Sequence, residues 1–286
     1  MKRGQVPGGY SYAPSGGGTQ MFESAIPLIL IAILAVFVAG KFGLVDFSGV
    51  PILSSIFPAP TITVGVVGSA SQSMVDLLST EEYHNFGISY AGSIDQSNIY
   101  SGVLNNFNIV ILQGEAVCDR TARMAIANYV KGGGKLIVIQ DACTRVSNDA
   151  SAYGWNIGIG SLGDVMPVTI GGIAHQYEPW QTVPVQGELK IVNVNDPIFN
   201  GVDNFQFDST ITAGITPTPT SQVDAFVDSS SIGQQTAPSL YAIIESQGLL
   251  TGKVIYFAYD PSTMAVQGVG SNLFLNTLLY LRGAKG

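Results

Sequence analysis

Residues 108–143 read as strand, helix, strand, and that unit leaves few architectures open to the rest of the chain. Segments 108–114 and 135–143 are short, apolar, β-branched runs. Between them, Val117, Ala122, Met124, Ala125, Ile126, Tyr129 and Val130 recur near helical spacing. The spacing predicts a helix over 115–131, stopped by Gly132, Gly133 and Gly134. Two strands joined by a crossover helix run parallel, and a parallel pair is buried on both faces.

The same period recurs upstream. Residues 61–68 form an apolar strand that ends at Gly68, followed by a helix carrying Met74, Val75, Leu77 and Leu78. A second strand is expected at 86–91 and a second helix at 97–107. Repeated βα units with right-handed crossovers build an α/β fold: a flavodoxin-like open parallel sheet in strand order 2-1-3-4, with helices on both faces. Past Cys143 the texture loosens. Residues 147–235 read as an irregular β-rich insertion with short strands at 164–168, 181–194 and 205–226. Regularity returns with strands at 240–245 and 252–258, a hairpin turn near Gln247 and Gly248, and an amphipathic helix at 272–281.

Ahead of this domain, expected to span 61–286, lie three segments of different chemistry. Residues 1–23 are a Gly, Pro and Tyr tail with nothing to bury. Residues 24–45 are apolar and uncharged until Lys41, matching the roughly 20 residues that span a bilayer core of about 30 Å. We read one transmembrane helix there. A cleaved secretory signal would have a shorter apolar core and a small-residue cleavage site, so an uncleaved anchor is preferred. Residues 46–60 form a proline-stiffened linker. Lys2 and Arg3 before the span, against Lys41 after it, set a cytoplasmic amino end and an extracellular domain. Gly18 followed five residues later by Glu23 also resembles the type IV prepilin and archaellin class, which implies a filament subunit.

Composition agrees with this topology. Of 286 residues, 46% are hydrophobic and only 11% charged, well under the roughly 25% typical of soluble domains. Net charge is −8 with no basic run, which excludes a nucleic-acid footprint. The expected partners are the lipid bilayer and a protein or a second copy of the chain at the cell surface.

Four segments carry a family resemblance. Residues 129–139, 195–202, 252–261 and 272–281, in that order, are similar to the class I glutamine amidotransferase-like superfamily, in particular its ThuA-like and gliding-motility-type branches that are not amidotransferases. The resemblance covers 61–286. It implies the flavodoxin-like sheet rather than an activity.

The superfamily places a nucleophilic cysteine on a tight turn after a strand, and Cys143 stands there. A cysteine hydrolase would add His175 to take the thiol proton and Glu178 to orient it. The flanking residues Asp141, Ala142, Thr144 and Arg145 include no glycine to ease such a turn. The other histidine is His84. The preferred alternative is a disulfide between Cys118 and Cys143, both at the carboxyl ends of neighbouring strands. Closing that loop stabilises by about 3 kcal/mol and removes the nucleophile. Glu115, Asp119, Asp141, Asp149 and Asp260 are expected on the same rim, where open α/β sheets hold ligands. Two or three of them would suit Ca²⁺, while the plainer reading makes them helix caps and turn residues. Residues 68–71 open a helix and would suit an anion, but there is no G-x-G-x-x-G or P-loop spacing, and no cofactor is expected. Tyr153, Trp155, Tyr177 and Trp180 are expected to pack or anchor loops.

Overall fold

The computed structural model describes residues 27, 30–36, 38, 61–99, 102–114, 117–147, 149–156, 161–170, 181–229, 240–247, 252–266, 268 and 270–283. The chain divides into two compact units, Met1–Pro60 and Thr61–Gly286. In the first, residues 30–36 are helical and expose Leu30, Ile31, Ile33 and Leu34. No helix among the described residues is long and apolar enough to cross a membrane. Most of the apolar run at 24–45, with the tail and the linker, lies outside the described residues.

The second unit is built on β1 (Ile62–Val67), β2 (Ile88–Ile94), β3 (Ile109–Leu112), the two-residue β4 (Val117–Cys118), β5 (Leu136–Ile139), β6 (Arg145–Val146), β7 (Asp149–Tyr153), β8 (Val168–Ile170), β9 (Gln181–Ile191), β10 (Phe205–Ala213), β11 (Ile215–Pro217), β12 (Ser221–Asp228), β13 (Leu240–Ser246) and β14 (Val254–Phe257). Its α-helices are α1 (Gln72–Leu78), α2 (Glu81–Asn85), α3 (Arg120–Lys131), α4 (Pro261–Val266) and α5 (Ser271–Gly283). Among the described residues, nine strands form the main sheet in the order β10-β9-β12-β13-β14-β5-β3-β1-β2.

Strands β2, β1, β3, β5 and β14 are mutually parallel. Their order is the flavodoxin-like 2-1-3-4 with one further strand. Every residue of β3, β5 and β14 is buried. Continuous apolar runs fit this place because both faces are covered, each large aliphatic contributing about 1.5–3 kcal/mol on burial. The crossover from β1 to β2 steps one way along the sheet and that from β3 to β5 steps the other, so right-handed connections put α1 and α3 on opposite faces. Helix α4 touches both α1 and α5, and α5 touches β3, which places these three together.

The structure corrects several expectations. The sheet is not wholly parallel: β13, β12, β9 and β10 continue it antiparallel. Within the stretch 147–235, expected as an irregular β-rich insertion, the strands β9, β10 and β12 extend the main sheet. Alternation explains why these strands sit at the sheet's end: Val185 and Leu189 of β9 are buried while Gln186 is exposed. The helix expected from Glu115 begins at Arg120, because Asp119 caps it by accepting from Ala122 N at 2.6 Å. Val117 and Met124 are exposed rather than core. No continuous helix spans 97–107: two 3₁₀ turns, Gln96–Asn98 and Val103–Asn106, stand there, the second preceded by Gly102 at φ +82°. The strand expected at 164–168 is a 3₁₀ turn, Leu162–Asp164, followed by β8.

Candidate functional site

The topological switch point lies between β1 and β3, whose crossovers diverge, and there the carboxyl ends of the parallel strands open a crevice for ligands in such sheets. Five polar side chains meet there. Gln113, at the end of β3, donates from Nε2 to Ser71 Oγ at 2.9 Å and to Asp260 Oδ2 at 2.7 Å. Ser262 Oγ donates to Asp260 Oδ1 at 2.6 Å and lies 2.9 Å from Ser73 Oγ, which is 3.0 Å from Ser71 Oγ. Gln113 and Ser262 are buried. Each hydroxyl and carboxylate oxygen has a partner, so the cluster ties α1, β3 and α4 together as a closed network. Packing seals the crevice further, because Gly114 runs so close to the preceding loop that a Cβ would sit 2.3 Å from Ser69 O.

Strand β5 ends in a strained turn. Gln140 and Cys143 both adopt positive φ, +53° and +58°, a region non-glycine residues enter at a cost of about 1–3 kcal/mol. Strained turns of this kind present nucleophiles in other α/β folds. The residue directly after β5 here is a carboxamide. Gln140 Nε2 lies 3.3 Å from Thr210 Oγ1 and 3.4 Å from Thr210 O, so β10 reaches over this end of the sheet. Thr212 N donates to Ala258 O at 2.7 Å and continues that cover.

Cys143 is bonded to Cys118, with Cα atoms 4.9 Å apart, and both residues are buried. The bridge ties the small sheet β4-β6-β7 to the turn after β5. The indole of Trp155 seals the other side, donating from Nε1 to Ala142 O at 2.9 Å and meeting Tyr256 edge to face at 5.7 Å. With this bridge formed, Cys143 carries no free thiol to act as a nucleophile. His175 and Glu178 lie outside the described residues, as do Glu115, Tyr177 and Trp180. His84 is exposed on α2.

Among the described residues the rim acids form no group that could hold a metal ion. Asp119 caps α3, Asp260 accepts from Ser262 N at 2.9 Å, and Asp149 pairs with Arg120 at 3.3 Å. Asp141 lies in the turn after β5, and burial raises its carboxyl above the ordinary range. No group of three or more potential ligands that could hold a metal ion occurs among the described residues. Tyr153 faces the Arg145 guanidinium at 5.9 Å. A concave surface lies elsewhere: a groove of about 370 Å³ beside α3, lined by Val103, Asn105, Ala125, Asn128 and Tyr129 among others, with no charged side chain.

Sequence reading missed the switch-point network, since Ser71, Gln113 and Ser262 lie far apart along the chain. It also missed Gln140. The signal for Gln140 was its place directly after an apolar strand and ahead of a glycine-free turn.

No family model and no curated protein matches the sequence. Solved structures do match. A ThuA-like protein from Bacteroides uniformis superposes with a TM-score of 0.53 at 12% identity, over 80% of this chain and 94% of that one. The fold is similar to that of a ThuA-like protein. A GH42 β-galactosidase from G. stearothermophilus gives 0.51 at 12% identity over 82% of this chain, which spans 32% of the enzyme. A GMP synthase component from Thermoplasma acidophilum gives 0.45 at 10%, over 78% of this chain and 96% of that one. At 12% identity the ThuA-like match establishes a similar fold and nothing of the chemistry. The resemblance drawn from four sequence segments is thus supported as fold.

Proposed function

We propose that the chain is a single-pass membrane protein whose amidotransferase-like domain, outside the cytoplasm, binds or assembles with a protein partner or a second copy and does not catalyse a reaction. The observation that carries this reading is the Cys118–Cys143 bridge. It takes up a sulfur at the strand end where the fold offers a nucleophile's place, and the neighbouring position is Gln140. A disulfide also fits an oxidising compartment better than a cytosol.

The anchor rests on the apolar run at 24–45 and on the charge asymmetry around it. Fractionation of native membranes tests it: an anchored chain stays with the pellet through alkaline carbonate and moves to the supernatant only with detergent. Release by carbonate alone overturns the anchor. Turnover of glutamine or simple esters by the reduced protein, lost in Cys143→Ala, overturns the non-catalytic reading.

A further inference from the structure

Far along the sheet from the switch point, two carboxylates are buried where strands β12 and β13 meet. Asp224 and Glu245 are 0% and 2% exposed. The pairing register between β12 and β13 shifts at Asp224, between Val223 opposite Ile244 and Ala225 opposite Ile243, so Asp224 occupies a bulge. A bulge re-aims the side chain it carries and is kept for what that side chain does.

Each carboxylate has one oxygen satisfied and one bare. Asp224 Oδ1 accepts from Gln222 Nε2 at 2.8 Å. Glu245 Oε1 accepts from Lys253 Nζ at 2.7 Å and from Tyr280 OH at 3.1 Å. Asp224 Oδ2 and Glu245 Oε2 are fully enclosed and have no hydrogen-bond partner among the described residues. A buried bare carboxylate oxygen is costly, and a buried ion without a counterion costs more. The charges around Asp224 do not balance. From β13 it faces Glu245, from the turn before Pro197 it faces Asp196, and among the described residues the cation acting on it is Lys253, ahead of β14, which is hydrogen-bonded to Glu245. Tyr280 of α5 is engaged with the same Lys253 and Glu245. Lys190 on the adjoining β9 pairs with Asp228 at 2.6 Å.

We propose that Asp224 and Glu245 form a buried proton site that takes up one proton, carried on Asp224, as pH falls through neutrality, so that the seam between β12 and β13 is firmest in acid. The proton removes the uncompensated charge and leaves Glu245 as the single anion for Lys253. Burial is the main cause, reinforced by Glu245 and Asp196, and together they push the Asp224 carboxyl up to about 7. The sign follows: the folded chain holds a proton that the unfolded chain releases near the ordinary carboxylate value. Stability is fully present below that value and is lost as pH rises toward 7.

The test is carboxyl ¹³C NMR on the full-length chain in micelles, with Asp224 assigned through its backbone. A midpoint near 7 is expected. A midpoint at or below about 4 overturns the proposal, as does a neutral-range titration found on Glu245 instead. Urea unfolding provides a second reading. In wild type the folding equilibrium constant is expected to fall by up to about a thousandfold between pH 4 and 8, and in Asp224→Asn this fall disappears. An equal fall in both proteins overturns the proposal. Should Asp224→Asn not fold, the wild-type carboxyl titration decides alone.

Discussion

The indole nitrogen of Trp155 donates a 2.9 Å hydrogen bond to the carbonyl oxygen of Ala142, the residue immediately before the bridged Cys143. A side chain from beyond the small sheet thereby holds the turn that ends β5, and it is itself 1% exposed. Disulfide, indole and strained turn act as one closure over the strand end.

Trp155→Phe keeps most of the apolar volume but leaves the Ala142 carbonyl without its donor. A loss of about 1–3 kcal/mol is expected, from the unsatisfied buried acceptor and the altered contact with Tyr256. Urea unfolding of the oxidised protein measures it. An effect below about 0.5 kcal/mol would mean the indole is not what holds the turn.

Gly114→Ala tests how tightly the switch point is closed. Its φ is +85°, and an added Cβ would meet the backbone oxygen of Ser69 at 2.3 Å. Backbone cannot step aside as a side chain can, so a cost of at least about 2 kcal/mol is expected from strain and clash together. Thermal unfolding reads it, and a variant as stable as wild type would show that the two loops stand apart.

Lys253 is the cation for buried Glu245, and its ammonium also lies 4.3 Å from the Tyr280 ring centre. Burial lowers its pKa, but the bonds to Glu245 and Tyr280 outweigh that and raise it overall. Lys253→Met leaves Glu245 buried without its cation, with only the Tyr280 hydroxyl still donating to it, and is expected to cost about 3–5 kcal/mol. The double variant with Glu245→Gln should recover much of the loss. Equal stabilities for the single and double variants would mean that the pair is not coupled.

Asp119→Ala removes the cap of α3, which should cost about 1 kcal/mol and fray the first turn. Amide exchange at Ala122 and Arg123 reports it, and unchanged protection there would rule the cap out.

What the sequence showed well were the strands with no polar residue to confuse them. β3 and β5 are pure apolar runs buried on both faces, so composition alone marks them and their parallel order follows from the helix between. The start of α3 was misplaced because Val117 falls in phase with the helical positions after it, while the decisive signal was the capping carboxylate of Asp119. The absent helix at 97–107 has its reason in Gly102, whose left-handed conformation interrupts the segment. Strands β9, β10 and β12 looked irregular because one face is polar and their partners are distant in sequence. Of the candidate site, the cysteine pair was legible from position. Gln113, Ser71, Ser262 and the Asp224 group were not, because their partners come together only through strand order.

The central claim is that the carboxyl end of β5 is closed by a covalent bridge and serves no thiol chemistry. Counting free thiols in protein taken unreduced from native membranes and then unfolded tests it directly. The account predicts none from the two cysteines of the chain. Two reactive thiols per chain would contradict it and reopen Cys143 as a nucleophile.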